Sequence, residues 1–263
     1  MFGVTSIDDE LFLLLNQDDN QVAVYSINDY RLLRHLNMPG LPAWFENDMT
    51  SCVHNKCLYI FGPRRSCILR YDLSSRVSPK KSPPTTKLLL PGSLRGLSVT
   101  PGHNLLVTYG DTSNKLVEFS TDSGQCVREI TVTLQSDIRD LCHAVQLTTG
   151  QFVICHGGEN DRLHRVCLVD DKGKVTRSYG GQSGSDVRQL YYPCHLAVDD
   201  DTQFVLVADD FNKRVVMLSP TLEFVRYFRE KMRYHPQRLY FHHTTRRLYV
   251  GQEWTSDVTV IQL

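Results

Sequence analysis

Histidine and cysteine have the most versatile chemistry in this sequence, and their spacing decides what they can do. The chain contains ten histidines and eight cysteines. The cysteines occur singly in apolar runs such as Phe152–Cys155, which predicts small buried core residues and no disulfide framework. His242 and His243 are adjacent, so on a strand they point to opposite faces and cannot readily chelate one metal ion. The sequence has no G-x-S-x-G, H-E-x-x-H, P-loop or G-x-G-x-x-G motif, which disfavours the enzyme classes that depend on them.

Arginines interleaved with aromatic residues form a second group, and their chemistry suits recognition. Such side chains act as hot spots for peptides and also stack on unpaired bases. The candidate partner-binding residues are Arg64, Arg65, Arg95, Arg139, Tyr192, His195, Phe211, Arg214, Arg238 and Trp254, with Tyr191, Tyr234 and His235 beside them. Acidic residues of the same segments, among them Asp209, Asp210 and Glu253, dilute the positive charge. This mixture favours a protein partner over RNA, because RNA affinity depends on uncompensated phosphate contacts.

The overall charge and hydropathy exclude several other classes. Lysine plus arginine and aspartate plus glutamate each number 29, so no global positive field attracts nucleic acid or an anionic membrane. No apolar run approaches the roughly 20 residues that cross a bilayer, and residues 1–5 have neither a basic nor an apolar leader region. We therefore expect a soluble, cytoplasmic protein with no membrane partner and no cofactor.

A repeat organises the whole chain. Pairs of apolar segments flank a short polar cluster, and the residues that close the second segment of each pair are separated by 46, 48, 50, 49 and 43 residues. These closing residues are Tyr25, Tyr71, Phe119, Val169, Leu218 and Ile261. A period in the forties with about four strand-length segments per unit is typical of a propeller blade, whereas the many glycine, proline and aspartate residues disfavour a helical solenoid.

The repeat predicts an all-β fold, a six-bladed β-propeller of four-stranded antiparallel blades in a single domain. The expected blades span residues 1–37, 47–92, 94–133, 137–180, 190–229 and 234–263. In each blade, strand a lines the central channel and strand d is outermost. The sixth unit stops at Leu263, at the end of its strand c, so the last blade lacks its outer strand. Either the ring closes on sheet packing alone, or a longer protein supplies the strand.

The fifth unit resembles a known repeat. Tyr192–Asp199 and Val205–Val216 match the NHL pattern P-x-G-hydrophobic-A-V-D followed by V-A-D-x-x-N-H-R-hydrophobic, with Asp209, Asn212 and Arg214 at the pattern's spacing. Asp209 and Asn212 suit a tight turn between strands b and c, where short polar side chains satisfy backbone N–H groups. Other units keep only the hydrophobic frame of the pattern.

The resemblance implies a binding function. NHL propellers stand at the C-terminal end of tripartite-motif ubiquitin ligases, where one face binds proteins or single-stranded RNA, but this chain has no RING or B-box cysteine and histidine set. In a propeller, the loops that join blades and the b–c loops share one face, and the candidate partner-binding residues belong to these loops. The function expected is a non-catalytic platform for a protein or peptide, as in the substrate-recognition part of a ubiquitin-ligase-type protein. The alternative is single-stranded RNA on the same face.

A second alternative is a metal-dependent hydrolase or lyase at the central channel. The peptidyl-amidoglycolate lyase, which resembles NHL proteins, holds zinc with channel histidines. Strand alternation aligns Arg95, His143, Cys194 and Gln237 there, with His195 adjacent. That set offers fewer N and S ligands than a catalytic zinc takes. A calcium site would instead need converging loop carboxylates, and the candidates are Asp48, Asp137, Asp140 and Asp186. We expect no metal.

Overall fold

Apolar strands alternate with short polar turns along the chain, and the strands assemble into six antiparallel sheets. The computed structural model describes residues 3–14, 21–38, 48–62, 66–74, 86–90, 92–110, 114–133, 141–158, 161–229, 232–253, 255 and 257–263. Five of the sheets formed by these residues have four strands in sequence order, and the last has three. The six-bladed propeller and the three-stranded final blade are therefore confirmed.

The blades follow one another along the chain, and each begins with its inner strand. The first two blades comprise β1 Gly3–Ile7, β2 Glu10–Leu14, β3 Gln21–Ser26, β4 Leu32–Asn37, β5 Met49–Cys52, β6 Cys57–Phe61, β7 Cys67–Asp72 and β8 Thr86–Leu89. The third and fourth comprise β9 Leu94–Val99, β10 Leu105–Tyr109, β11 Lys115–Phe119, β12 Cys126–Thr131, β13 Leu141–Gln146, β14 Phe152–His156, β15 Leu163–Val169 and β16 Val175–Gln182. The last two comprise β17 Pro193–Val198, β18 Val205–Asp209, β19 Arg214–Leu218, β20 Phe224–Phe228, β21 Pro236–His242, β22 Arg247–Gln252 and β23 Val258–Gln262.

The residues that marked the repeat in the sequence occupy equivalent places in the six sheets. Each lies at or near the end of strand c and pairs with strand b, as Tyr25 does with Leu11 and Leu218 does with Val205. Strands b are apolar at almost every position because both faces of the sheet are covered. In β6, β10, β14 and β18, every residue is buried.

The hydrophobic core is divided into six clusters, one between each pair of neighbouring blades. The cluster between the last and the first blade joins Val4, Leu11 and Leu13 to Tyr249. The hydroxyls of Ser6 and Tyr240 lie 2.6 Å apart at the same interface. The ring is therefore closed by side-chain packing between β1–β4 and β21–β23.

All eight cysteines are free thiols, and six of them are buried. The prediction of core cysteines is confirmed for these six, while Cys126 is exposed and Cys194 is half-buried. Helical structure in the described ranges is limited to a 3-10 turn at Asp210–Asn212. None of those residues belongs to a helix with the length and apolarity to span a bilayer.

Candidate functional site

A β-bulge interrupts the inner strand of four consecutive blades near its first residue. In each of β9, β13, β17 and β21, one residue is skipped in the pairing with the neighbouring strand. The skipped residues are Arg95, Cys142, Cys194 and Gln237. An inserted residue shifts the alternation of side chains by one. The residue after each bulge is therefore the one that is equivalent between blades, and these residues are Gly96, His143, His195 and Arg238.

This register corrects the channel set inferred from the sequence. Strand alternation places His143 level with Arg95, Cys194 and Gln237, but the residue of β13 that is equivalent to these three is Cys142, so that alignment is wrong for His143. The channel instead holds His143, His195 and Arg238 around the Asp48 carboxylate of the second blade.

Asp48 is the centre of this channel group. Its carboxylate accepts the backbone N–H groups of Met49 at 3.0 Å and Leu97 at 2.9 Å. The Nε atom of Arg238 lies 3.4 Å from one carboxylate oxygen. Burial alone would raise the pKa of Asp48, but the Arg238 guanidinium and the nearby histidines hold it well below its usual range. Asp48 is thus an ionised buried group that ties the second blade to the third and sixth.

The two channel histidines stack on each other with their ring centroids 3.8 Å apart. His195 Nδ1 accepts the Leu239 N–H at 3.3 Å, so the Nε2 of that ring carries the hydrogen and faces Asp48 at 3.5 Å. His143 Nε2 lies 3.3 Å from the Leu97 carbonyl oxygen. Burial lowers the pKa of His143 to about 3 and lowers that of His195 as well. Both rings are therefore neutral near pH 7.

Gly96 makes room for this pair. A Cβ atom at Gly96 would lie 2.7 Å from the Cys142 carbonyl oxygen and 2.8 Å from Cδ2 of His143. Because Gly96 of the third blade has no side chain, the His143 imidazole of the fourth blade fits beside it. Sequence reasoning missed Gly96, although a glycine inside a strand is a signal of close approach.

The channel residues do not fit a catalytic metal centre. Ligand atoms of Asp48, His143 and His195 lie within 4.8 Å of one another, but the imidazoles meet face to face, whereas tetrahedral zinc needs their nitrogen lone pairs to converge. The Arg238 cation beside Asp48 also opposes a divalent ion. Of the calcium candidates, Asp186 is exposed while Asp48 is buried, and Asp137 and Asp140 lie outside the described residues.

The fifth-blade motif holds the b–c turn against the loop that joins the fourth and fifth blades. The Asp209 carboxylate accepts the Tyr191 N–H at 2.6 Å and the Asn212 side-chain amide at 2.8 Å. It also pairs with the Arg214 guanidinium, and both side chains are fully buried. The structural role predicted for Asp209 is confirmed, although the N–H group that it binds belongs to the interblade loop and not to the turn, and Asn212 acts as a donor, to Asp209 and to the Gly184 carbonyl oxygen.

Arg214 belongs to the same network, so its assignment to a partner surface is wrong. Besides Asp209, its guanidinium donates to the carbonyl oxygens of Ser185 at 2.8 Å and Gln189 at 2.7 Å. It also lies 4.1 Å over the centre of the Tyr227 ring. Every donor faces protein, and no surface remains for a partner.

An aromatic group lies above this network, on the face formed by the interblade and b–c loops. Phe211 is at its centre. The Tyr192 ring stacks on it with the two ring centroids 5.3 Å apart, and the Tyr191 and His235 rings meet it edge to face with centroid separations of 4.8 and 5.7 Å. Tyr191 is exposed, and Tyr192, Phe211 and His235 are half-buried. We call these four residues the aromatic rim. The sequence predictions for Tyr192 and Phe211 placed them on this face, and the structure brings them together there.

The remaining candidate residues have different surroundings. His195 is buried in the channel, which corrects its placement on the surface. Arg238 is bound to Asp48 and only 13% of its side chain is exposed. Arg95 is half-buried and packs on Gly110. Four residues lie outside the described ranges, namely Arg64, Arg65, Arg139 and Trp254.

Comparison with known proteins establishes the fold. No protein-family model and no curated protein matches the chain, so the likeness to NHL repeats stays an interpretation of the fifth blade. Among solved structures, a protein of unknown function from Bacteroides caccae is similar over 97% of this chain and 90% of its own, with a TM-score of 0.69 and 13% identity. A Kuenenia stuttgartiensis hydrazine synthase matches over 100% and 95%, with a TM-score of 0.66 and 12% identity. A virginiamycin B lyase from Staphylococcus aureus matches over 99% and 82%, with a TM-score of 0.63 and 12% identity. At such identities the likeness is one of propeller architecture.

Proposed function

We propose that this protein is a non-catalytic platform that binds a peptide segment of a protein partner at the aromatic rim. The observation that carries the proposal is the packing of Tyr191, Tyr192 and His235 around Phe211 on the loop face. Rigid, half-buried aromatic side chains supply large contact area at low entropic cost, as binding hot spots do. The network of Asp209 and Arg214 beneath them fixes the loops that present them.

The charges near the aromatic rim favour a peptide over single-stranded RNA. RNA affinity depends on arginine and lysine side chains that are free to neutralise phosphates. Arg214 is neutralised by Asp209, and Arg238 is held by Asp48. These two predicted arginines are therefore poor phosphate ligands.

The residues of the channel support the absence of catalysis. The His143 and His195 rings cover each other, and the hydrogen on His195 Nε2 faces Asp48. This is the arrangement of a structural network that joins blades. By its likeness to NHL repeats, the domain would serve as the substrate-recognition part of a ubiquitin-ligase-type protein.

Selection of peptides from a random display library tests the proposal. We expect enriched peptides to bind the protein, and Phe211→Ala to weaken their binding roughly tenfold or more, the loss typical of a hot-spot residue. Tyr30→Ala is the matched control, because Tyr30 is an exposed aromatic residue of the first blade, and it should leave binding unchanged. Retention of single-stranded RNA at low salt without any peptide enrichment would overturn the proposal in favour of RNA.

A further inference from the structure

Two carboxylates lie next to the aromatic rim. Asp210 begins the 3-10 turn that carries Phe211, and Glu253 follows β22 of the sixth blade. Together with His235 they form a cluster in which one ligand atom of each residue lies within 4.8 Å of the others. Asp210 is buried, whereas Glu253 and His235 are half-buried and open toward the loop face. We call Asp210, Glu253, His235 and Phe211 the anionic rim site.

The negative charge of this site has little compensation within the described part of the chain. Asp210 accepts hydrogen bonds from His235 Nδ1 at 2.8 Å and from the Gln237 side-chain amide at 3.5 Å, but no lysine or arginine of those residues forms an ion pair with Asp210 or Glu253. The nearby Arg214 and Arg238 are engaged by Asp209 and Asp48. Two of the arginines that the sequence suggested for this face, Arg214 and Arg238, are thus neutralised below it, next to the carboxylates of Asp210 and Glu253.

The surroundings of Asp210 make its charged form costly. Burial, with a smaller contribution from the neighbouring Glu253 carboxylate, raises the pKa of Asp210 to about 6 against the opposing effect of His235. A cation beside Glu253 would offset the repulsion between the two carboxylates. The site is therefore electrostatically complementary to a positive group and opposed to a negative one.

The aromatic side chains supply the second half of the complementarity. Lysine and arginine carry an apolar stem that packs along apolar surface while the charged end stays polar, and a cation near an aromatic ring is further stabilised. Phe211 and His235 meet edge to face at 5.7 Å, and Asp210 is bonded to the same His235 ring. The Phe211 ring and the Asp210 carboxylate thus lie next to the same His235 ring.

We infer that the anionic rim site binds a lysine or arginine side chain of the peptide partner. This inference rests on the proposed function, which it deepens by naming the chemistry of the segment that is bound. The stem of the basic residue packs on Phe211, and its charged end pairs with the half-buried Glu253, with the buried Asp210 carboxylate directly behind it. The other residues of the peptide contact Tyr191 and Tyr192.

The test uses small probes that isolate the side chain. Nα-acetyl-arginine methylamide and its neutral citrulline counterpart are titrated into the ¹⁵N-labelled protein and followed by NMR. We expect the arginine probe to bind about tenfold more tightly, equivalent to about 1.4 kcal/mol, with shifts at Asp210, Phe211 and Glu253. The double variant Asp210→Asn with Glu253→Gln should lose this preference. Lys213→Gln, which changes the charge of an exposed residue in the same turn, is the control and should keep it.

The outcomes separate the inference from the function on which it rests. Library peptides that are enriched in lysine or arginine at one position, and that lose affinity in the double variant, support both. Peptides that bind the aromatic rim without a basic residue overturn the inference and leave the proposed function standing. Binding of the arginine probe without any peptide enrichment supports the site chemistry and overturns the proposed function. Tight binding of Zn²⁺ that needs Asp210 and Glu253, with no preference for the arginine probe, overturns the inference in favour of a metal site.

Discussion

Arg214→Met tests whether the network beneath the aromatic rim stabilises the fold. Methionine fills much of the same volume but offers no donor, so Asp209 loses its counter-charge and the carbonyl oxygens of Ser185 and Gln189 lose their hydrogen bonds. Arg214 and Asp209 are both fully buried, so no water replaces the lost partner. Breaking one partner of such a buried pair costs about 3–5 kcal/mol of the free energy of unfolding.

This loss should be large enough to measure by thermal and urea unfolding. For a chain of this length, 1 kcal/mol corresponds to roughly 2 °C in Tm, so Arg214→Met should lower Tm by about 6–10 °C. Arg214→Lys restores the charge but not the planar fork of donors, and it should lie between the variant and the wild type. Adding Asp209→Asn to Arg214→Met removes the unpaired charge and should recover part of the loss. Arg226→Met on the exposed side of β20 is the control, with an effect within about 0.5 kcal/mol.

Limited trypsin digestion supplies a local measurement. Arg188 is exposed in the loop that Arg214 binds, so release of that loop should accelerate cleavage after Arg188 in Arg214→Met and not in Arg226→Met. If Arg214→Met unfolds within about 1 °C of the wild type and its loop is cleaved no faster, the stabilising role assigned to the network is refuted.

Two further predictions concern Gly96 of the channel and the buried histidines. Gly96→Ala should destabilise the protein by about 1–3 kcal/mol, because the alanine Cβ meets the Cys142 carbonyl oxygen and the His143 ring. Urea unfolding measures this loss of stability. An unchanged free energy of unfolding would show that the channel is loosely packed. Burial lowers the pKa of both His143 and His156 to about 3, so between pH 6.5 and 3 the unfolded chain binds protons that the folded chain does not, and stability falls as the pH is lowered. At pH 5.5 the two histidines together should lower the free energy of unfolding by about 3 kcal/mol. His156→Leu should therefore reduce the dependence of that free energy on pH, measured by urea unfolding between pH 7.5 and 5.5. A pH dependence unaffected by the substitution would contradict this origin.

The fold could be predicted from the sequence because hydrophobic residues recur at the spacing of the blades. Strand c of each blade has, at or near its end, a residue such as Tyr25 or Leu218 that packs toward a neighbouring blade, and such residues recur at the blade period. The three strands of the last described sheet match the same spacing.

The site could be predicted only in part, because side-chain partners depend on register and on burial. The hydrophobic pattern of an inner strand does not fix its register to a single residue, so alternation places His143 one position away from its true equivalents, His195 and Arg238. Arginine and aromatic content predicts a binding face, but it does not distinguish Phe211 at the surface from Arg214 beneath it. The acidic character of the rim emerges only once Arg214 and Arg238 are seen with their partners.

The packing that joins the last blade to the first has a mechanical consequence. At the other five junctions the backbone itself runs from one blade into the next, whereas among the described residues the sheets β21–β23 and β1–β4 are joined by side-chain contacts such as that of Ser6 with Tyr240. Tension applied through Gly3 and Leu263 would load this junction. The ring would open there first, while the strands within each blade stay hydrogen-bonded to one another.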